Sequence, residues 1–467
     1  MKKIFIIVFI ALSLSSCDNY LDVKPYGRTI PKTAEEFSAF IHAQLYRIDQ
    51  GENTYFMDNS TTISYFDLSA GDDFEASLTS NSGRNLDVYI GTILGFKSFP
   101  SEAYSSLYQT IRDCNIVIGE MKEEGTDEAD KVRATAYAMR AACYYQLLRW
   151  FCDVPEKNNM ANQLGVPLVT QFDMEERPVR SSMQAVVDLI ESDLKKSIAY
   201  HVHDDLFRFT EDVSKGYLAR LYFWTKQWDK VLPIADELLK VHPILPIDKY
   251  VQVMKEAYKL GTNQLIKSYR LSTAGNQTFE GDQTTARYRP ISIRFLSHFS
   301  ETDTANDVRY KFYVNKKRVV TKTYFCGMRS EEFKLMQAEC YYHLGQMAEA
   351  LAALNELRAA RVKDVLPFTI GALPNLNDRE IIETDAEGKR LTPLIGAILS
   401  ERRKELFFEG DRFFELKRNG RPEFWTAYNG RKYTTLKYMY TFPIPHREIQ
   451  INGGIVQNPG YTELESN

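Results

Sequence analysis

Two stretches of this chain follow one plan of about 34 residues, a helix, a tight turn and a second helix. With Asp212 as position one, Leu218, Ala219, Tyr222 and Pro243 fall where the plan wants them. A second copy begins near Glu331, and Ala338, Tyr341, Gly345, Ala350, Leu354 and Leu357 match it in phase. A small residue such as Ala219 lets the paired helix come close. One such pair cannot bury its own apolar face, so other pairs must stack on it. The copies are not tandem. Between Pro243 and Glu331 the chain is rich in rings and polar residues, which predicts a stack interrupted by large insertions.

The same reading extends along the chain. Thr33 can cap a helix with Glu36 as its capping-box partner, and Phe37, Phe40, Ile41 and Leu45 then share a side. Tyr104, Leu107, Tyr108, Ile111, Cys114, Asn115 and Ile118 recur at threes and fours. Val132, Ala136, Met139, Cys143, Leu147 and Trp150 line a long helix that stops before Pro155. The predicted pairs are 33–47 with 102–122, 131–151 with 181–199, 212–226 with 228–241, and 331–345 with 347–361. Residues 51–100 lack a helical period and read as long ordered loops with one short helix, and residues 262–325, rich in rings and polar residues, read as a second insertion. Gly410 falls mid-helix, where it suggests a close neighbour. Leu436, Tyr438, Tyr440 and Phe442 alternate like a strand. The expected class is all-α dominated: a tetratricopeptide-like helical-repeat scaffold with large loop insertions and little β.

The N-terminus sets the compartment. Lys2 and Lys3 precede an apolar run from Ile4 to Leu14, followed by Leu14-Ser15-Ser16-Cys17. That run is too short to span a bilayer, which takes about 20 residues. It has the order of a secretory signal, and a thiol directly after small residues marks a lipoprotein signal. Residues 1–16 are expected to be removed, Cys17 to carry the acyl groups and residues 17–32 to act as a tether, leaving residues 33–467 as one domain. Removing Lys2 and Lys3 leaves 58 − 2 = 56 basic against 62 acidic residues, a balance of −6. That excess of acid argues against nucleic acid as a partner. Five cysteines besides Cys17 leave an odd count, and no spacing suggests a disulfide framework or a zinc site.

Loop segments that combine flat rings with charged or amide groups suit a ligand that has both an apolar face and polar groups. Residues 65–89 and 269–295 offer both. The candidate ligand residues are Tyr65, Asp67, Asp72, Asp73, Tyr89, Tyr269, Arg270, Tyr288 and Arg289. Catalytic motifs are missing: there is no HExxH, G-x-S-x-G or P-loop. His201 and His203 lack further metal ligands nearby. Glu401, Glu405 and Glu409 follow at fours among arginines, as in ion pairing along a helix. No catalytic residue, metal or cofactor is expected.

These pieces together resemble the SusD/RagB family of outer-membrane lipoproteins of the Bacteroidetes. The resemblance is carried by Cys17 to Pro25, Tyr104 to Ile118, Arg140-Ala141 through Pro155, Lys215 to Leu239 and Glu331 to Arg361. Its strongest parts are "ERRKELFFEGDRFFELKR" and the ending "FPIPHREI…QNPGY". The resemblance implies four tetratricopeptide-like helix pairs and a loop-rich half bearing the ligand site. It also implies a lipid-anchored protein on the outer face of the outer membrane. Such a protein captures oligosaccharides, or in some branches peptides, for a SusC-like TonB-dependent transporter. A surface glycosidase is the remaining alternative.

Overall fold

The structure, a computed structural model, describes residues 31–461 except 51, 53, 76–88, 96–97, 174, 269–275 and 429–430. Cys17, Tyr269 and Arg270 therefore lie outside the described residues. Ten helices carry the fold: α1 (Ala34–Asp49), α2 (Ser98–Glu120), α3 (Asp127–Phe151), α4 (Met183–Ile198), α5 (Glu211–Trp224), α6 (Trp228–Val241), α7 (Ser330–His343), α8 (Met347–Ala359), α9 (Pro393–Glu405) and α10 (Arg412–Arg418). Helices α2 to α8 pack in chain order, each on the next. The two repeat copies, far apart in sequence, thus stack directly through α6 and α7. α1 was expected to pair with α2, but it lies chiefly along α3.

Local chemistry explains the ends of these helices. Thr33 and Glu36 form the capping box of α1 as expected. Thr126 accepts from Ala129 N at 3.2 Å, and Asp127, Glu128 and Asp130 place negative charge at the positive end of α3. At the other end of α3, α10 and the chain's last segment satisfy the orphan carbonyls. Phe442 N donates to Trp150 O (2.7 Å), Asn458 Nδ2 to Phe151 O (2.8 Å) and Lys417 Nζ to Arg149 O and Cys152 O (2.6 and 2.7 Å). Burial pushes the Lys417 ammonium down to about 7. Inside the stack, Arg140 donates twice to Asp193 (2.7 and 2.8 Å) and once to Asn115 (2.7 Å), tying α2, α3 and α4 together.

Strands are few. β1 (Leu164–Pro167) pairs with β2 (Arg180–Ser182), β3 (Gln264–Lys267) with β4 (Gly327–Arg329), and β5 (Phe424–Tyr428) with β6 (Arg431–Thr435), all antiparallel. Residues 437–440, expected as strand, form a single 3₁₀ turn. Their alternation has another cause: Tyr440 and Phe442 go into the core, while Tyr438 packs edge-on against Tyr461. Gly410 does not sit mid-helix. The chain breaks between α9 and α10, with Phe408 and Gly410 at φ +67° and +76°. The close neighbour expected there is Ile63.

Two main apolar cores result. One fills the stack. The other, largely aromatic, lies under the irregular half and joins Phe74, Phe295, Phe312, Tyr324, Phe407 and Phe408. Glu401, Glu405 and Glu409 do pair with cations, but chiefly with ones from distant elements. Glu405 accepts from Arg309 (2.9 Å), Arg329 (2.7 Å) and Arg361 (3.0 Å), all fully buried. Glu409 meets Lys322 and Arg329, and Glu401 meets Arg309 and, within the helix, Lys404. Burial alone would raise the Glu405 pKa; its three guanidinium partners outweigh that and hold it well below the usual carboxylate range.

Candidate ligand groove

The groove forms where two predicted insertions meet. Asn59 Oδ1 accepts from Thr62 N (2.9 Å) and starts the helix Ser60–Ser64, which widens into a π turn over Tyr65–Ala70. Phe74 then forms an antiparallel bridge with Ile291. Ser292 N donates to Asp73 O, Glu75 N to Pro290 O, each at 2.8 Å, and Ser292 Oγ to Asp72 O (2.7 Å). The seam is thus held by backbone bonds rather than by side chains alone.

The β5–β6 hairpin borders this seam. Its register pairs Trp425 with Thr434 and Thr426 with Tyr433, so Trp425 and Tyr433 lie on opposite faces. Tyr433 stacks on Tyr89, with ring centroids 4.9 Å apart, and the Tyr89 hydroxyl donates to Thr434 O (3.0 Å). Trp425 is 48 % exposed, and the Lys432 ammonium lies 5.1 Å from its ring centre. Seam, hairpin and the turn at 378–381 enclose an open groove of about 500 Å³, within the size range of small-ligand sites.

The sequence-predicted residues divide sharply. Asp72 lines the groove, but its carboxylate is buried against Arg412 (2.7 Å) and Arg403 (3.1 Å). Burial would raise its pKa; the two guanidinium groups hold it low. Asp73 pairs with Arg403 (2.8 Å) behind the wall. Asp67, inside the π turn, accepts from Gly410 N (3.2 Å), and burial, then Asp73, push its pKa well up. Arg289 is buried and donates to the carbonyls of Leu68 and Glu75, and burial pushes it down to about 10. These four are structural ties of the seam, since buried charged groups are spent on internal partners, and we leave them out of the ligand-contacting set. Tyr65 is half-buried, edge-on to Phe99. Tyr89 supports the hairpin. Tyr288 is 40 % exposed just after the helix Asn276–Arg287 and does not line the groove. Sequence reasoning missed Trp425, although Asn429-Gly430 between two strand-like runs is a strong hairpin signal.

A second cavity, about 480 Å³, shares Glu380 with the groove. There Ser400 Oγ lies 2.8 Å from His298 Nδ1, and His298 Nε2 lies 3.1 Å from Glu380. Serine, histidine and carboxylate in a row suggest a nucleophile. Their surroundings oppose it. Glu380 is bound by Arg403 (3.0 Å) and Arg412 (2.7 Å), and Arg403 Nη1 crowds His298 Nε2 at 3.2 Å. Burial pushes His298 down to about 4, too weak a base near neutrality. Ser400 sits within α9, where neighbouring amides are used by the helix and none serves an oxyanion. His201 and His203 both face Glu211 (2.9 and 3.6 Å).

A stacked-helix scaffold that presents an aromatic, charge-lined groove in its irregular half defines a class of binding protein. A model for SusD-like proteins, described as starch-binding associating with outer membrane, matches residues 19–223, and a SusD family model matches residues 306–461. The chain belongs to the SusD/RagB family. A SusD-like protein of Formosa agariphila is 32 % identical over 118 residues, which is 25 % of this chain and 21 % of that protein's length. A SusD-superfamily crystal structure from Bacteroides thetaiotaomicron shares the fold with a TM-score of 0.68 at 20 % identity, covering 91 % of this chain and all of that one. A laminarin-binding SusD-like protein superposes with a TM-score of 0.61 at 19 % identity, over 92 % of this chain and 100 % of its own.

Proposed function

We propose that this protein is a cell-surface receptor for saccharide, held to the outer membrane by lipid on Cys17, that delivers its ligand unaltered to a SusC-like TonB-dependent transporter. The observation that carries the ligand class is Trp425. It is a half-exposed indole on a braced hairpin beside a groove of about 500 Å³ with charged walls, the pairing of flat ring and polar groups that a pyranose needs. Family membership supports the transporter and the membrane. No helix among the described residues is long and apolar enough to cross a bilayer, which agrees with attachment by lipid. The muted Ser400–His298–Glu380 row supports binding without hydrolysis.

Titration calorimetry of the full chain against a panel of oligosaccharides tests this. Trp425→Ala is expected to weaken the best ligand at least tenfold, with the unfolding midpoint unchanged because the ring is half in solvent. Unchanged affinity in that variant would remove the groove as the site. Release of reducing ends from the bound sugar would replace the receptor with an enzyme.

A further inference from the structure

The charged side chains lining the groove differ in how they are partnered. Four acids reach its wall, Asp72, Glu75, Asp378 and Glu380, and three of them already have arginine partners within the protein. Asp72 and Glu380 share Arg403 and Arg412, which also serve Asp73 and Glu415, and Glu75 is held by Arg318 (2.7 Å). The two basic residues of the wall, Arg294 and Arg379, are different. Among the described residues neither guanidinium has an ion-pair or hydrogen-bond partner. Arg379 is exposed and Arg294 partly so. Lys432, over the Trp425 ring, adds a third cation at the rim. Among the described residues Asp378 is the one acid of the wall without a partner. The charged side chains of the groove without an opposite charge of the protein beside them are therefore three cations and one anion, in front of a buried cluster in which two arginines serve four carboxylates.

An arginine fork offers parallel N–H donors that match the two oxygens of a carboxylate or sulfate, and such charge-assisted pairs are about twice as strong as neutral ones. Neutral hydroxyls are served as well by amides and carboxylates. We propose that the groove takes an anionic saccharide, one bearing carboxylate or sulfate groups that pair with Arg294 and Arg379 while a sugar face lies against Trp425. This rests on the saccharide-binding reading above and narrows it to a substrate class.

The test is calorimetry of the full chain, in detergent, at about 0.15 M salt. The probes are hexameric oligogalacturonate, its fully methyl-esterified form, a sulfated galactan hexamer, and neutral maltohexaose and laminarihexaose. At least one anionic probe is expected to bind tenfold or more tightly than every neutral one, and added salt is expected to weaken it. Preference for the free acid over its ester assigns carboxylate; preference for the galactan assigns sulfate. The double variant R294Q/R379Q is expected to erase the preference while its unfolding midpoint stays put. Equal binding of neutral and anionic probes overturns the inference, as does a double variant that keeps the preference. Binding of no saccharide overturns the reading beneath it. Loss of all binding in Trp425→Ala without any charge preference keeps the groove and rejects only its anionic ligand.

Discussion

Six alanines of α3, at 129, 134, 136, 138, 141 and 142, are fully buried, and neighbouring helices close in on that helix from several sides. In the irregular half, rings fill the interior instead. Phe295 stacks on Phe407 at 4.2 Å and Tyr324 on Phe408 at 3.8 Å. The contrast follows from the backbone. Helices repeat, so their ridges and grooves mesh and small residues suffice. Loops do not repeat, so their gaps vary, and large flat side chains fill them at a good return of buried area per ordered residue. The polar ties differ in the same way. The stack has a two-member pair, Arg140 with Asp193. The irregular half is held by buried carboxylates shared among arginines, with Glu405 serving three.

If that contrast is right, the shared carboxylate is where the irregular half is most easily broken. Glu405→Ala would take the shared carboxylate from three buried guanidinium groups, leaving Arg309 to Asp307 and Glu401, Arg329 to Glu331 and Glu409, and Arg361 to Glu331; breaking a buried pair by removing one partner costs about 3–5 kcal/mol. Urea denaturation should show a loss of that size, together with weaker ligand binding, because Arg309 and Arg329 flank the aromatic core under the groove. A loss below about 1 kcal/mol would mean that the rings hold this half without the ions.

A pair of glycines sharpens the comparison. Gly345, in the turn between α7 and α8, and Gly410, between α9 and α10, have φ of +79° and +76°. A Cβ on Gly345 would meet open space, whereas one on Gly410 would lie 3.2 Å from Ile63 Cγ1. Alanine at either position should cost about 1 kcal/mol for the left-handed backbone. Gly410→Ala should lose up to about 1 kcal/mol more, because Ile63 sits in the aromatic core. Equal losses in thermal unfolding would show that the irregular half yields to an added methyl as readily as a surface turn does.

How far the sequence could be read follows the same division. Cys143, Leu147 and Trp150 recur at a four and a three and are fully buried, so the stack was legible from period alone. The groove was not. Asp73 sits in a polar, ring-rich stretch that suggests a ligand, yet its partner Arg403 lies 330 residues away, and no local pattern carries that information. Trp425 contributes a single exposed ring, which has no period. "ERRKELFFEGDRFFELKR" read as an ion-paired helix; its charges are buried and tie distant loops together, with the helix broken at 406–411.

The smallest effect concerns protons. In the stack, His242 at the end of α6 faces Asp212 in the first turn of α5 through Nε2 (2.9 Å) and Thr262 O through Nδ1 (3.2 Å). With an acceptor at each ring nitrogen, the imidazolium is favoured, and the Asp212 bond raises the His242 pKa above 6.5 against the lowering by burial. A raised folded pKa means that the contribution is fully present below the unfolded value, about 6.5, and is lost as pH rises through the folded value. Asp212 is lowered, by that same bond first, so its share is present above the unfolded value and lost as pH falls through the folded one. His242→Gln should therefore cost most between about pH 5 and 6, under about 1 kcal/mol for a half-exposed pair, and almost nothing by about pH 9. Glu405 and its arginines do not titrate in that interval, since Glu405 is held well below the usual range. Wild type and His242→Gln unfolded side by side across pH should thus differ by a slope that belongs to the stack alone. Parallel curves would show that the histidine is bound equally well in both of its charge states.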